Sequence, residues 1–416
     1  MLAVLLSLAL AAPAPLRLVD LLREAREKNP DLKAAAAHVR AAQSAISPAG
    51  ALDDPMLMVQ LWNAPVDFST VPLMVQLSQN IPLGGKRGAR TDMARADAAM
   101  ADADLGQKQR DVETQVASTY FDLFLADRTQ EIDDELEAIL NVVVRAAEAR
   151  VSTGKAEQVE LLRAQGALVQ LRSERETAID HRRSSWARLS ALLDRDPIAP
   201  PGVTTRPGVL ATLPDVAALS ERALRERPEL AGSRAAIEGA HAQERLARAN
   251  RIPDLGLFAA EMHTFRNPMG VSDFLFAGFQ VSLPIFFGSK NEPRIAGAQA
   301  QLVAAQEAAR ALRNRVVAEV AEGYAHLLAE THQIDLHHHQ LIPIARQAVR
   351  SAESSYAAGR TDFIMLLDSA RELRMHELNE AMHLAAYEQR LAELQRAVGG
   401  DLGLAQAAEV GHEERH

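Results

Sequence analysis

The feature that most constrains this chain is a run of 65 residues, Lys86 to Arg150, without a single proline. Ala, Arg, Glu, Gln and Leu dominate it, and because these residues favour helix, the run predicts one uninterrupted helix. At ~1.5 Å per residue, such a helix is roughly 100 Å long. A compact domain cannot hold a rod of that length, so we expect a stave of a coiled coil. In the second half of the chain, an alternating spacing of four and three residues predicts an a/d seam through Val320, Tyr324, Leu327, Thr331, Ile334, His338 and Leu341.

The residues that interrupt the helical runs occur twice in the same order. Three pairs illustrate this: Pro30 and Pro228, Pro82 and Pro284, and Gly154 and Gly359, with offsets of 198, 202 and 205 residues. Such spacing indicates a duplicated unit of about 200 residues. We predict a first repeat at 15–205 (hairpin about 55–82, long helices about 86–193), a second at 206–400 (hairpin about 253–284, long helices about 290–398), and a flexible tail at 401–416.

Within each predicted hairpin the apolar residues follow a period of two, which is typical of strands. Leu73, Val75 and Leu77 share one face in the first copy, and Leu275, Ala277, Phe279, Val281 and Leu283 do so in the second. The turn-rich intervals 63–70 and 266–273 predict hairpin loops. Each stretch has about ten residues, the length of a tilted strand that crosses a bilayer.

Four such strands per chain cannot close a barrel, and an open sheet edge in hydrocarbon leaves backbone groups unpaired. The strands therefore require oligomerisation, and three chains would supply twelve. The predicted fold is mainly α with transmembrane β: a long antiparallel α-helical coiled-coil barrel, with four β-strands per chain contributing to a trimeric 12-stranded outer-membrane β-barrel.

Composition excludes several other classes. The chain has no cysteine, so it holds no disulfide scaffold, thiolate metal site, cysteine nucleophile or acylated N-terminal cysteine. Its net charge of -10, without a basic run among aromatics, argues against nucleic acid as a partner. The apolar run 2–12 predicts a signal peptide over residues 1–14, although no Lys or Arg precedes it, and a mature apolar helix start is the alternative.

Four motifs carry a family resemblance. They are Gln79-Asn80-Ile81-Pro82-Leu83-Gly84-Gly85-Lys86-Arg87, Ser282-Leu283-Pro284-Ile285-Phe286-Phe287-Gly288, Tyr356-Ala357-Ala358-Gly359-Arg360 and Leu366-Leu367-Asp368-Ser369-Ala370. With the duplicated order of motifs, they resemble the outer membrane efflux protein (TolC) family, and most of all its heavy-metal efflux branch of CzcC and CusC proteins. The resemblance covers the chain from about Leu18 to Gly399.

The resemblance implies a homotrimer in the lipid of the cell outer membrane with a periplasmic helical domain. It also implies a periplasmic adaptor (membrane fusion) protein and an inner-membrane RND-type pump as partners. The expected function is a passive export duct, most of all for metal cations, with no catalysis and no cofactor. The alternatives are a duct for drugs or other small molecules and, from the long helices alone, a periplasmic coiled-coil adaptor.

The resemblance also implies where the functional residues lie. The periplasmic tip, where the adaptor docks, corresponds to Val151, Ser152, Thr153, Gly154, Lys155, Ala357, Ala358, Gly359, Arg360, Thr361 and Asp362. Asp368 corresponds to a carboxylate of an acidic constriction, while the partner carboxylate one turn earlier is Met365 here. An equally weighted alternative is that Asp368 is a solvated residue or a partner of Arg371.

Histidine motifs suggest metal chemistry, but their spacing does not support it. His337, His338 and His339 project about 100° apart on a helix, so no two share a face. His376 and His383 share a helix face, but roughly 10 Å of rise separates them, and this distance is too great for both to bind one ion. His412-Glu413-Glu414-Arg415-His416 matches a zincin pattern but ends the sequence without a third ligand, which leaves a metal-sequestering tail as the alternative. We therefore predict no metal site.

Overall fold

The computed structural model describes residues 15–61, 72–154, 157–198, 202–209, 213–264, 273–358, 360–361, 363–400 and 402. The predicted signal peptide, the predicted loops (apart from Asp273), Lys155, Gly359, Asp362 and the zincin-like tail lie outside these residues. The helices are α1 (Leu18–Lys28), α2 (Pro30–Gly50), α3 (Lys86–Ser152), α4 (Gln158–Leu192), α5 (Val216–Glu226), α6 (Pro228–Ala249), α7 (Glu292–Leu336), α8 (Ile342–Ala357) and α9 (Phe363–Val398). The strands are β1 (Met56–Leu61), β2 (Pro72–Ile81), β3 (Leu255–Thr264) and β4 (Phe274–Val281).

The long proline-free run forms a single helix, as expected. Helix α3 has 67 residues, two more than the sequence run suggested. Helices α2 and α6 begin at Pro30 and Pro228, where the missing proline N–H costs no helical hydrogen bond. The order from α1 to α4 recurs from α5 to α9, with two short helices, two strands and then long helices in each half.

The chain divides into two compact units, each of which takes segments from both halves. Unit 1 comprises Met1–Lys33, Gln107–Arg227 and Arg315–His416, and unit 2 comprises Ala34–Gly106 and Pro228–Asn314. The sequence repeats are therefore not separate compact bodies, and their boundaries stay a prediction.

Unit 2 contains an antiparallel sheet in the order β1-β2-β3-β4. The register aligns Leu57 with Leu77, Leu77 with Ala259, and Ala259 with Ala277, so one apolar face runs across all four strands. On this face Leu275 is 83% exposed and Phe279 is 72% exposed. The alternation predicted from the sequence is thus present, and its apolar face is uncovered in a single chain.

One residue of the predicted alternation does not belong to the sheet. Strand β4 ends at Val281, two residues before Leu283. The Ser282 amide still donates to the carbonyl of Asp254, which lies opposite it in the register, and the chain turns beyond that point, where the amide of Ile285 donates to the Leu283 carbonyl across Pro284. Leu283 therefore follows the strand rather than extending its apolar face.

A buried ion pair fixes the junction between β2 and α3 in unit 2. Gly84 and Gly85 adopt φ of 73° and 81°, a left-handed conformation that side chains rarely tolerate. The Lys86 ammonium, whose side chain is 5% exposed, donates to Asp254 Oδ1 and to the Ile252 carbonyl, both at 2.7 Å. The connection between strand and helix is thus a left-handed glycine pair followed by a buried lysine.

Small residues allow α3 and α6 to approach each other closely within unit 2. A Cβ added to Gly232 would lie 3.1 Å from the Ala103 Cβ, and one added to Gly239 would lie 3.2 Å from the Ala96 Cβ. Since such contacts need side chains no larger than Ala, the Ala-rich and aromatic-poor composition follows from helix packing.

Unit 1 is built around long helices with a continuous core. Its largest fully buried side chains include Tyr120, Leu189, Leu327, Tyr387 and Leu394. The Tyr120 hydroxyl donates to the Leu16 carbonyl at 2.9 Å and accepts from the Thr205 amide at 3.1 Å, which joins the two connecting segments to α3. Among the described residues of either unit, no helix is both long enough and apolar enough to cross a membrane.

The predicted seam in the second half breaks at its histidine. Residues His337–Leu341 form a π-helical turn between α7 and α8, in which the Ile342 amide bonds the His337 carbonyl five residues back. Pro343 follows and cannot donate a helical hydrogen bond, which favours such a local widening. The extra residue changes the helical phase, so His337 is buried while His338 is exposed; placing His338 on the seam was wrong.

Candidate functional site

The first predicted tip turn follows α3 in unit 1. The helix ends at Ser152, and Gly154 adopts φ of 67° with its amide donating to the Val151 carbonyl at 3.0 Å. The Thr153 hydroxyl bonds the carbonyls of Ala149 and Arg150, both at 3.1 Å, which satisfies groups that the ending helix leaves free. The left-handed glycine therefore lets the chain reverse toward α4, as the sequence predicted.

The second predicted turn follows α8. The amide of Ala358 donates to the Ser354 carbonyl at 3.1 Å, and that of Arg360 donates to the Ser355 carbonyl at 2.9 Å. Arg360 is exposed, and α9 begins at Phe363, which is fully buried. Because Gly359 and Asp362 lie outside the described residues, their predicted roles in this turn stay predictions.

One hydrophobic cluster supports both turns. It joins α3, α4, α8 and α9 in unit 1 through Leu136, Leu140, Val143, Ala164, Ala167, Leu168, Leu171, Val349, Ala352, Tyr356, Phe363, Leu366, Leu367 and Ala370. Farther along α9, the Arg374 guanidinium bonds Asp133 on α3 at 2.7 Å and Glu174 on α4 at 2.9 Å. The turns are thus attached to a packed bundle and not to free loops.

An aromatic contact links the ends of α3 and α8. The Arg150 guanidinium lies 5.3 Å from the centroid of the Tyr356 ring, within the range of a cation–π interaction. One guanidinium nitrogen of Arg150 and the hydroxyl of Tyr356 are buried without a hydrogen-bond partner among the described residues. The sequence analysis assigned neither residue a role, and only the helical phase near Gly154 and Gly359 could have indicated that they meet.

The predicted aperture residues lie on the exposed side of α9. Met365 is 56% exposed, and Asp368, one turn later, is also exposed. The neighbouring residues Leu366, Leu367 and Ala370 are buried in the core. Among the described residues Asp368 forms no ion pair with Arg371. Its carboxylate is therefore free to act on solvent or on ions that approach this face.

Histidines of unit 1 meet in a way that the sequence did not reveal. The ring of His337 lies 5.4 Å from that of His376 and 5.6 Å from that of His383, measured between centroids. The π-helical turn brings His337 between the two histidines of α9. Within the described part of the chain, no group of three or more His, Cys, Asp or Glu residues is arranged to hold a metal ion.

Comparison with known proteins identifies relatives over nearly the whole chain. A family model described as "Outer membrane efflux protein" matches residues 21–195 and 219–400. The chain is 26% identical over 364 residues to the cobalt-zinc-cadmium resistance protein CzcC of Cupriavidus metallidurans, which covers 87% of this chain and 85% of that protein. It is also 26% identical over 416 residues to the pyoverdine export outer membrane protein OpmQ of Pseudomonas aeruginosa, which covers 91% of this chain and 83% of that protein.

Solved channel structures share the fold. The outer-membrane channel OprN aligns with a TM-score of 0.79 at 20% identity, over 92% of this chain and 90% of that chain. The channel protein CusC aligns with a TM-score of 0.78 at 18% identity, over 95% of this chain and 96% of that chain. The predicted combination of long helices and four strands per chain is thereby confirmed.

Proposed function

The chain belongs to the outer membrane efflux protein family, and from this membership we propose that it exports metal cations as a trimeric duct. It is an outer-membrane efflux channel with a periplasmic helical domain, and it is not an enzyme. Proteins of this family act within tripartite efflux systems, so an adaptor and a pump are its partners. The cargo, the trimeric state, the RND class of the pump and the docking residues belong to the proposal.

The relatives carry the proposal for metal cations as cargo. Besides CzcC, the nickel and cobalt resistance protein CnrC of Cupriavidus metallidurans is 28% identical over 325 residues. Both proteins are named for resistance to divalent transition metals. OpmQ, named for pyoverdine export, is the reason to keep an organic cargo as the competing proposal.

Metal tolerance tests the cargo. Deleting the gene should lower the growth-inhibiting concentrations of Co²⁺, Zn²⁺, Cd²⁺ and Ni²⁺ severalfold while leaving tolerance to dyes and antibiotics unchanged, and the wild-type gene should restore growth. A strain that lacks only the inner-membrane pump of the same efflux system is the matched control, because it should show the same metal pattern. Sensitivity to organic compounds with unchanged metal tolerance would refute metal export and leave the channel assignment intact.

The open sheet of unit 2 supports the trimer. Strands β1 and β4 are the outer strands of the four, and the apolar face through Leu57, Val75 and Phe279 is exposed in a single chain. Unpaired edges and exposed apolar surface are both unfavourable unless other strands complete the barrel. Three copies would supply twelve strands, enough to close one.

The two turns of unit 1 support docking of the adaptor at the tip. They lie at the ends of α3 and α8, they present exposed groups such as those of Thr153 and Arg360, and the shared hydrophobic cluster holds them in fixed positions. A rigid, exposed helix end is a suitable surface for a second coiled coil.

Because the chain contains no cysteine, single-cysteine variants give an unambiguous docking test. Ser152→Cys and Arg360→Cys should form cross-links to the adaptor in cells treated with a short thiol-reactive cross-linker. Arg183→Cys, on the exposed surface of α4 and away from both turns, should not. Equal cross-linking at all three positions, or none at the turns, would contradict docking at the tip.

A further inference from the structure

The junction of α7 and α8 buries an imidazole at the first residue of a π-helical turn. His337 opens the π-helical turn His337–Leu341 and is 6% exposed, although His338 and His339 beside it face solvent. A π-helical turn has poorer packing than an α-helix and persists only where its surroundings favour it. The contacts of His337 are therefore part of what holds this turn in place.

Those contacts are two other imidazoles from α9. The three rings form a row, with His337 between His376 and His383 at centroid distances of 5.4 and 5.6 Å. The Nδ1 atoms of His337 and His376 are buried and have no hydrogen-bond partner among the described residues. Three adjacent rings can pack in this way when neutral, but a proton on His337 places a positive charge in a buried position between two other imidazoles.

Two carboxylates near the row bond groups outside it, and a third bonds a ring of the row itself. Glu380 Oε1 bonds His338 Nδ1 at 2.6 Å and an Arg206 nitrogen at 2.7 Å, and Glu377 bonds Arg346 at 2.8 Å. On α7, Glu330 Oε2 bonds His383 Nδ1 at 2.8 Å. The remaining charged neighbours are exposed: Glu372 lies 3.9 Å from His376 Nε2, and Asp335 pairs with His339 at 2.9 Å.

The electrostatics agree with this geometry. Burial lowers the pKa of the His337 imidazole below its ordinary value of 6.5, and His376 and His383 lower it further, while Glu380 and a backbone hydrogen bond at His376 oppose them. A base with a lowered pKa in the folded state binds fewer protons there than in the unfolded chain. The contribution of neutral His337 to the stability of this contact is therefore fully present above pH 6.5 and is lost as the pH falls below that value.

We propose that His337, His376 and His383 form an acid-sensitive joint that holds the π-helical turn between α7 and α8 against α9 when all three rings are neutral. Uptake of a proton loosens this contact. Because α8 leads directly from the joint to the second turn, loosening gives α8 greater freedom to move relative to α9. This property is independent of the cargo and of the docking site proposed above.

Hydrogen exchange at the imidazole Cε1 carbon, read by mass spectrometry on the detergent-extracted full chain, measures the protonation of each histidine without any substitution. His337 should titrate at lower pH than His339, which lies in the same turn but is exposed and paired with Asp335. A midpoint for His337 equal to or above that of His339 would overturn the proposal.

Backbone amide exchange tests the mechanical consequence. Between pH 7.5 and pH 5.5, after correction for intrinsic rates, exchange in residues 334–345 should rise roughly threefold or more in the wild type. His337→Gln, which cannot be protonated, should remove most of this rise, and His339→Gln should retain it. If His337→Gln does not assemble, the Cε1 exchange of His337 in the wild type, compared with that of His339, still decides the proposal. An unchanged wild-type exchange rate, or an equal rise in the glutamine variants, would refute the joint.

Discussion

Lys86 is the single residue on which the junction between β2 and α3 most depends. Its ammonium is buried and shared between Asp254 and a backbone carbonyl, immediately after two left-handed glycines. Removing one partner of a buried ion pair is costly because the other charge remains without compensation.

We therefore predict that Lys86→Met lowers the thermal stability of the detergent-extracted protein by about 2 kcal/mol, less than for a fully buried pair because Asp254 is partly exposed. Lys86→Met combined with Asp254→Asn should recover part of the loss. Lys290→Met, at an exposed position, is the control and should have little effect. A thermal midpoint of Lys86→Met equal to that of the control would show that the pair does not stabilise the junction.

Glu388 illustrates the opposite situation, a carboxyl group without an ion pair among the described residues. It lies on the side of α9 that carries the buried residues Ala385 and Leu391, and burial raises its pKa to about 8. An acid whose pKa is raised in the folded state favours folding while it is protonated. Its contribution to the free energy of unfolding therefore declines as the pH rises from about 4.5 to about 8.

Replacing this residue gives a pH-dependent prediction. Glu388→Gln should stabilise the protein above pH 8 by on the order of 2 kcal/mol, because the buried negative charge is lost, and should have little effect at pH 4.5. Thermal midpoints across this range would reveal the difference, with exposed Glu353→Gln as the control. Equal shifts at both pH values would show that Glu388 does not titrate as its burial implies.

Asp368 carries the proposal for an acidic aperture. Its carboxylate is exposed and, among the described residues, is not paired with Arg371, so it is accessible to ions in the solvent. If three copies line the duct, Asp368→Asn should reduce the preference for cations over anions in single-channel recordings, while Glu353→Gln on α8 should not. Unchanged selectivity in Asp368→Asn would assign the residue to the outer surface, the alternative that the sequence analysis kept open.

For individual residues, the sequence predicted the secondary structure better than the burial and contacts of the side chain. Period-two alternation located the strand faces, and glycine in Thr-Gly-Lys located the first turn. The burial of His337 in place of His338 could not be predicted, because the seam rests on an unbroken alternation of four and three residues and the π-helical turn shifts the phase by one residue. The contact of Arg150 with Tyr356 was missed for a related reason, since it depends on how two helix ends pack and not on either sequence alone.

Among the elements, the turn after α3 offers a matched pair of glycine substitutions. Gly154 has φ of 67° with open space around it, whereas Gly166 lies inside α4 and also has open space. Only the backbone conformation distinguishes them, so Gly154→Ala should destabilise the protein by about 1 kcal/mol and Gly166→Ala should stabilise it by about 0.5–1 kcal/mol. The same sign of change in both thermal midpoints would contradict a left-handed turn at Gly154.

The elements themselves were largely predictable because proline and glycine mark their ends. Helix α3, the starts of α2 and α6 and the four strands all follow from such residues and from periodicity. The division of the second long helix into α7, a π-helical turn and α8 was not foreseen, although Pro343 was a visible signal that a hydrogen bond would be missing there.

At the scale of the whole molecule, the duplication explains the element order but not the compact units. Each unit combines segments from both halves, because the paired long helices of one half pack with those of the other within unit 1 and the two hairpins share one sheet in unit 2. Family membership and the uncovered sheet together support the proposal that the chain completes its structure with copies of itself in a membrane.

Current recording in planar lipid bilayers tests the account of a passive outer-membrane duct most directly. The detergent-extracted protein, added without nucleotide or pump, should insert as discrete steps of steady ionic current. The steps should disappear when the protein is first heated to separate its subunits. A protein that washes from membranes in detergent-free buffer, or that never conducts after reconstitution, would contradict the account.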